Sequence, residues 1–196
     1  MPRAPRILVD NGYYHVVTRG IDRRKLFRYN CDYDYFLKVT TKYLSKFQIY
    51  ILHYCLMPNH LHLLVKAGKA EDLPKFMQAV LQVYAAYFRK KYDCVGFVFQ
   101  NRYKSCLIDS ESYLLECARY IERNPLRAKL IDNLLQYPWS SFLMYAKGVQ
   151  NDIINLINPL YPGLSITGQE CRKKYFGYVT QNRPYDHIVD KEFRIK

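Results

Sequence analysis

The sequence predicts an α+β fold in which a four-stranded antiparallel sheet carries helices on one face. Three observations predict it. Segments with strand and helix patterns follow each other in the order strand, helix, strand, strand, helix, strand. Only Pro58 and Asn59 separate the second strand from the third, and these are turn residues. The 196-residue chain is also long enough to bury a core of one domain.

The first half of this pattern begins with a β-branched and aromatic strand, "YYHVVTR", at 13–19. Between 31 and 47 the apolar residues recur at the spacing of one helix face. They are Phe36, Val39, Tyr43, Leu44 and Phe47. The apolar segments at 48–57 and 60–67 are then two buried strands joined by the Pro58–Asn59 turn.

The second half begins at Asp72, which is a typical N-cap residue for a helix that runs to about Phe88. The segment 97–108 is predicted to be a fourth strand followed by a basic turn. A further helix is predicted from about Ser110 to Arg123, and Pro125 interrupts or restarts it. The order is that of a split βαβ, or ferredoxin-like, sheet with an extra tyrosine-bearing helix. We expect residues 1–148 to form the main domain and residues 149–196 a helical C-terminal extension packed on or near it.

The charge of the chain favours a polyanionic partner. Thirty Lys and Arg residues face seventeen Asp and Glu residues, which gives a formal net charge of +13. Nucleic acid and an anionic membrane surface are both partners of this kind. The twenty tyrosines, several of them interleaved with Arg and Lys, suit stacking on unpaired bases as well as core packing.

Membrane insertion and export are not indicated by the sequence. No apolar segment approaches the length of a membrane span, and "MPRAPRILVDNGYYH" lacks the apolar core of a secretory signal. None of the six cysteines forms a C-x-x-C pair. We therefore expect a cytoplasmic protein with reduced thiols and no membrane partner.

The segment "MPNHLHLLV" at 57–65 carries two histidines in an otherwise apolar strand. Because side chains alternate along a strand, His60 and His62 project to one face, about 7 Å apart along it. Two neutral imidazoles so placed can bind one metal ion. The alternative is a pair of histidines that are hydrogen-bonded locally on a half-exposed face.

The segment "YIERNPLRAKL" at 120–130 supplies a second set of polar groups. Tyr120 and Asn124 are four residues apart on the predicted helix and therefore share a face. The Asn124 carboxamide oxygen is a hard ligand that can complete a three-residue metal site with the histidines. With the cations Arg119, Arg123 and Arg127 around them, these residues indicate a site that cleaves a phosphodiester.

These two segments, together with "FQNRYKS" at 99–105 and "PWSSF" at 138–142, resemble the single-tyrosine HUH transposases. The resemblance is strongest to the REP-associated tyrosine transposases and runs from about Tyr13 to Tyr145. It implies that His60 and His62 bind a divalent ion, Mg²⁺ or Mn²⁺, and that Tyr120 is the nucleophile. Asn124 corresponds to the polar residue that completes the metal site, where some relatives have Gln.

The resemblance also implies the substrate and the reaction. Tyrosine is a weak nucleophile at neutral pH and needs activation. Its attack on single-stranded DNA beside a hairpin, such as a REP-like or element-end sequence, would form a covalent 5′-phosphotyrosine and allow strand transfer. We expect DNA contacts from Arg23, Arg24, Lys25, Arg102, Lys104, Arg119, Arg123 and Arg127. Gln100 is expected to support the active site.

One alternative function is a non-catalytic module that binds single-stranded nucleic acid on a ferredoxin-like sheet. The aromatic motif of RNA-recognition modules is absent, and "GFVFQNRY" at 96–103 matches it only superficially. The sequence leaves the oligomeric state open between monomer and homodimer. It also does not show whether the tyrosine would act in its own subunit or in a partner.

Overall fold

A computed structural model describes residues 7–110, 113–184 and 186, and within them an antiparallel sheet lies between two layers of helices. The strands and helices in chain order are β1 (Gly12–Arg19), α1 (Asn30–Leu44), β2 (Ile49–Met57), β3 (His60–Ala67), α2 (Asp72–Tyr92), β4 (Lys104–Ile108), α3 (Tyr113–Glu122), α4 (Asn124–Arg127), α5 (Phe142–Lys147) and α6 (Gly168–Thr180). Short 3₁₀ turns occur at Ile21–Arg23, Leu134–Gln136 and Pro162–Leu164.

The four strands are ordered β2-β3-β1-β4, and each neighbouring pair is antiparallel. This is the order of a split βαβ sheet, so the predicted α+β fold class is confirmed. The long amphipathic helices α1 and α2 cover one face, where residues such as Phe36 and Phe76 pack on Leu61 and Leu63 of β3.

The opposite face of the sheet is covered by α3. There Leu114, Ala118 and Ile121 pack against Leu64 of β3 and Ile108 of β4. The tyrosine-bearing helix α3 therefore does not lie on the same face as α1 and α2 but covers the opposite face of the sheet. Because strand side chains alternate, the face that receives α3 is also the face to which His60 and His62 project.

The fourth strand lies later in the chain than the sequence predicts. It comprises Lys104–Ile108, whereas the sequence predicts a strand at the start of 97–108 and a basic turn after it. Residues 97–103 form only isolated hydrogen bonds with the end of β1 and the turn after it. Gln100 N–H donates to the Arg19 carbonyl (2.9 Å), and Ile21 N–H donates to the Val98 carbonyl (3.0 Å). Beyond Arg19 the chain curls into a 3₁₀ turn with a positive φ at Asp22 and Arg23, so no straight strand remains for this segment to pair with.

The edge strand β2 is covered by residues that follow α3 and α4. The Asn155 side chain accepts a hydrogen bond from Ile51 N–H (2.6 Å), and its amide donates to the Ile49 carbonyl (3.1 Å). Ser141 N–H donates to the Tyr54 carbonyl (3.0 Å). These bonds occupy groups that an exposed edge would offer to another chain. The extension after Gly148 thus begins by packing on the sheet.

None of the helices in the described part of the chain is both long and apolar enough to span a membrane.

The first turn of α1 depends on the buried carboxylate of Asp32. It accepts hydrogen bonds from the backbone N–H groups of Arg28 (2.8 Å) and Tyr29 (3.0 Å), and from Lys91 (2.5 Å) and Tyr92 (2.6 Å) of α2. Burial alone would raise the pKa of this carboxyl, but the hydrogen bonds from Lys91, Tyr92 and the two backbone groups lower it to about 2.

We predict that Asp32→Asn lowers the free energy of unfolding at pH 7 by roughly 2 kcal/mol, because the carboxylate that favours the folded state is lost. The pKa is lower in the folded chain than in the unfolded one. The contribution is therefore complete above about pH 4 and disappears as the pH falls towards 2. Urea unfolding of parent and variant at pH 7 and pH 3 measures this contribution to the free energy of unfolding.

Asp34→Asn is the matched control, since Asp34 lies on the same helix with an exposed side chain. It should change stability by less than about 0.5 kcal/mol at either pH. Equal stabilities of Asp32→Asn and Asp34→Asn at pH 7 would contradict the role given to Asp32.

Candidate active site

His60 and His62 lie side by side on the sheet face that α3 covers. Their ring centroids are 5.0 Å apart, while Leu61 and Leu63 between and beside them enter the core on the other face. His62 is 5% exposed and His60 is half-buried. The row of cross-strand partners continues from His62 to Val17 of β1 and then to Lys104 of β4.

Both imidazoles are held through the same ring atom. Nδ1 of His60 lies 2.7 Å from Oδ1 of Asn59, and Nδ1 of His62 lies 2.9 Å from Nε2 of His15 on β1. The Nε2 atoms of His60 and His62 form no hydrogen bond with any residue that the structure describes. The two atoms that could bind a metal ion are therefore not engaged elsewhere.

The environment keeps the histidines neutral at physiological pH. Burial, and then the neighbouring Arg19, lower the pKa of His60 to about 4. Burial also places the pKa of His62 well below its ordinary range, with further lowering from His15, His60 and Arg127. A neutral imidazole has the free lone pair that a metal ligand requires.

Tyr120 of α3 lies against these histidines. Its ring centroid is 5.7 Å from that of His62 and 5.6 Å from that of His15, edge to face in both cases. The guanidinium carbon of Arg127 lies 4.7 Å from the Tyr120 ring centroid. Tyr120 itself is only 8% exposed. One chain thus brings the tyrosine and the histidine pair together.

The sequence Asn124-Pro125 shapes the end of the tyrosine helix. Pro125 has no N–H, so the Ile121 carbonyl lacks its usual helical donor. The Asn124 side-chain amide donates instead, to the carbonyls of Ile121 (3.1 Å) and Tyr120 (2.9 Å). The structure brings Asn124 into no ring or hydrogen-bond contact with either histidine among the described residues. The carboxamide oxygen of Asn124 is the atom expected to bind the metal. It forms no hydrogen bond with any residue that the structure describes.

The loop with the predicted DNA contacts Arg23, Arg24 and Lys25 lies beside the histidine strand. Asn59 links the two, because its carbonyl accepts a bond from Gly20 N–H (2.9 Å) and its side-chain amide donates to the Arg23 carbonyl (3.3 Å). The side chains of Arg23 and Lys25 are exposed, and that of Arg24 is half-buried.

Three other predicted residues lie near the same end of the sheet. Gln100 is exposed and its backbone bonds to Arg19, the cross-strand partner of His60. Lys104 is exposed in the same cross-strand row as His62, whereas Arg102 is exposed in the loop before β4.

Arg119 and Arg123, expected to contact DNA, are instead buried against the C-terminal extension. Arg119 donates to the Tyr178 carbonyl (2.9 Å) and pairs with Asp186 (2.5 Å), and Arg123 donates to the Val179 carbonyl (2.7 Å). The last carbonyls of a helix have no intrahelical donor and attract cations. These two arginines therefore hold α6 against α3, and the prediction that they contact DNA is corrected because their guanidinium groups are buried in these bonds.

Glu122, two residues after Tyr120, is fully buried and has three side-chain partners. His53 of β2 lies 3.0 Å from Oε1, while Ser141 (2.5 Å) and Tyr175 of α6 (2.7 Å) donate to the two carboxylate oxygens. Asn158 donates its amide to Nε2 of His53 (3.1 Å), so the Nδ1–H of His53 faces Glu122. This network fixes α3 on the sheet.

His15 and Arg19 belong to the site but were not predicted from the sequence. Both lie on β1, at alternate positions that share the face of the histidine pair. Alternation along "YYHVVTR" places them on one face. Only the strand order, with β1 next to β3, shows that this face is that of His60 and His62.

The donor set for a metal ion is small. No group of three or more His, Cys, Asp or Glu side chains in the described part of the chain is arranged to hold one. The available donors are the Nε2 atoms of His60 and His62 and the carboxamide oxygen of Asn124. Nitrogen and neutral oxygen donors with positions left open fit an ion that must also bind a substrate phosphate.

Comparison with known proteins agrees with this arrangement. A sequence model described as "Transposase IS200 like" matches residues 8–124, which is more than half of the chain and includes the histidine pair, Tyr120 and Asn124. The chain belongs to the IS200-like transposase family. The family predicted from the sequence motifs is thereby confirmed, and membership implies a DNA-cleaving enzyme.

One solved structure shows that the fold of this IS200-like transposase has a relative. A REP-associated tyrosine transposase bound to a REP hairpin superposes with a TM-score of 0.65 at 15% identity, covering 78% of this chain and 90% of that one. A protein from Deinococcus radiodurans, provisionally named a transposase, gives a TM-score of 0.43 at 15% identity, covering 66% and 92%. No curated protein sequence matches the chain.

We predict that Tyr175→Phe lowers the free energy of unfolding by about 1–3 kcal/mol, because it leaves an oxygen of the buried Glu122 carboxylate without its donor. Urea unfolding at pH 7 measures the change. Tyr50→Phe is the control, since the Tyr50 ring is exposed on β2 and its hydroxyl makes no bond to any described residue. Identical stabilities of the two variants would exclude an anchoring role for the network.

Proposed function

We propose that this transposase is a metal-dependent endonuclease and strand transferase for single-stranded DNA, and that it acts through a covalent 5′-phosphotyrosine at Tyr120. The observation that carries the proposal is the contact between the Tyr120 ring and the His62 ring, 5.7 Å between centroids, inside one chain. A nucleophile and the best metal-ligand candidates of the described residues meet there.

The reaction assigns a distinct task to each group. The Tyr120 oxygen attacks the scissile phosphorus and loses its proton, while the bond from phosphorus to the 3′ oxygen breaks and that oxygen leaves as a hydroxyl. The cations Arg127 and Arg19 flank the site and attract the phosphate. Because the phosphotyrosine ester retains the energy of the broken bond, a second 3′-hydroxyl can reverse the step and join a new strand.

The bound ion would polarise the scissile phosphate and stabilise its charge. We assign it to Nε2 of His60, Nε2 of His62 and the carboxamide oxygen of Asn124. The first two fit because burial keeps both imidazoles neutral and their Nδ1 atoms are already engaged. Mg²⁺ and Mn²⁺ are the ions that we propose.

We propose a DNA hairpin with an unpaired flank as the substrate. The protein of similar fold was solved with a REP hairpin, and this chain carries a net charge of +13. The exposed cations Arg23, Lys25 and Lys104 lie around the histidines and suit phosphate contacts. We propose that Arg24 and Arg102 belong to the same DNA surface and that Gln100 supports the active site.

The geometry supports cleavage by a single subunit. Tyr120 and His62 come from the same chain, and the bonds of Arg119, Arg123 and Glu122 hold the tyrosine helix on its own sheet. We therefore propose that a monomer suffices for cleavage, with the tyrosine acting in cis.

Tyr120→Phe should abolish the covalent adduct and reduce cleavage of a labelled single-stranded hairpin to background, because only the attacking oxygen is removed. Binding to the hairpin should stay within about two-fold of the parent, since the ring and the cations remain. Denaturing gels with Mg²⁺ or Mn²⁺ measure the adduct, and filter binding measures affinity.

The control for this experiment is Tyr113→Phe, on the same helix but with an exposed ring. It should form the adduct at the parental rate. A covalent adduct that persists in Tyr120→Phe would contradict the assignment of Tyr120 as the nucleophile. A parent that binds the hairpin without ever cleaving it would favour the alternative, a non-catalytic single-strand-binding module.

Replacing both histidines by alanine should lower cleavage by more than about 100-fold, because loss of a second-shell partner alone already costs up to that factor. Binding of Mn²⁺ to the DNA-free protein, followed by calorimetry, should be lost as well. Asp32→Asn serves as the control for reduced stability, since Asp32 lies on the opposite side of the sheet. Parental Mn²⁺ affinity in the double variant would place the ion elsewhere.

A further inference from the structure

His15 forms a buried hydrogen bond with His62 that the reaction described above does not use. The two side chains are 1% and 5% exposed, their rings stack at 5.2 Å with 15° between the planes, and Nε2 of His15 lies 2.9 Å from Nδ1 of His62. A neutral imidazole has one donor nitrogen and one acceptor nitrogen. One ring must therefore donate to the other, and the choice fixes which nitrogen of His62 carries a lone pair.

The neighbouring histidine shows which choice suits the site. Nδ1 of His60 faces Oδ1 of Asn59, and a carboxamide oxygen can only accept. The orientation of this amide is set by its NH₂ group, which donates to the Arg23 carbonyl. Nδ1 of His60 is thus the donor, and its Nε2 keeps the lone pair. His62 matches His60 only if its own Nδ1–H donates to His15.

The position of His15 would otherwise be costly. It lies on the sheet face beneath α3, among the apolar residues that pack between α3 and the sheet, and its cross-strand partner is Leu64. A buried polar ring without a partner is unfavourable, so an apolar side chain would stabilise this face more. The hydrogen bond to His62 gives the His15 imidazole a polar partner at this buried position.

We propose that His15 is a positioning residue for the metal site: it accepts the Nδ1–H of His62, fixes the ring of His62 and leaves Nε2 of His62 available to the ion. The inference rests on the proposed function, because it needs His62 to be a ligand. It goes beyond that function by assigning a role to a residue of β1 that contacts neither the DNA nor the ion. Metal-binding histidines commonly donate their second N–H to a carboxylate, a backbone carbonyl or water, and here an imidazole nitrogen takes that place.

Two substitutions separate the hydrogen bond from the shape of the side chain. His15→Leu fills the space but cannot accept, whereas His15→Gln offers a carboxamide oxygen to the Nδ1–H of His62. Mn²⁺ affinity of the DNA-free protein, from calorimetry or the electron paramagnetic resonance of free Mn²⁺, should fall 10- to 100-fold in His15→Leu. In His15→Gln it should stay within about three-fold of the parent.

Asp32→Asn is again the control for lost stability, because a merely destabilised but folded protein should bind Mn²⁺ as the parent does. Nitrogen-15 NMR of the metal-free parent provides a test that needs no variant. Long-range couplings should show His62 as the Nδ1–H tautomer, and the Nε2–H tautomer would overturn the inference.

The remaining outcomes are also decisive. Parental Mn²⁺ affinity in His15→Leu would overturn the role of His15, and so would an equal loss of affinity in His15→Gln and His15→Leu. Either result leaves the proposed function intact if the parent binds Mn²⁺ and forms the Tyr120 adduct. A parent that does neither would reject the proposed function itself, and the inference with it.

Discussion

The placement of α3 on the sheet depends on the buried carboxylate of Glu122. Its partners are His53 on β2, Ser141 before α5 and Tyr175 on α6, so one carboxylate joins an edge strand and two helices to α3. Burying a charge is expensive unless it is hydrogen-bonded on all sides. The carboxylate is therefore stable only when these elements are assembled, which fixes α3, and with it Tyr120, relative to the sheet.

The two faces of the sheet have consequently separate tasks. The face under α1 and α2 is a continuous apolar core. The face under α3 mixes a small apolar cluster with imidazoles, a tyrosine and a buried carboxylate. Polar groups on that face are tolerated because Glu122 is bonded to three side chains and His15 to His62, which lets the histidine pair and Tyr120 lie beside the core.

The C-terminal extension belongs to this arrangement. Its first part covers the edge of β2 through Asn155, and α6 carries Tyr175 to Glu122 while its last carbonyls receive Arg119 and Arg123. Two of the cations that contribute to the strongly basic sequence are thus used inside the molecule. The DNA surface that we propose depends on the cations left around the histidine pair.

The sequence by itself determined the strand and helix order, the shared face of His60 and His62, and the four-residue spacing of Tyr120 and Asn124, because these follow from local backbone periodicity. Only the tertiary structure decided what each face meets. It brought His15 to His62 across a strand pairing, placed α3 opposite α1 and α2, and turned Arg119 and Arg123 towards α6. Those outcomes depend on contacts between residues far apart in the chain, and a local pattern contains no information about which distant partner will satisfy a buried polar group.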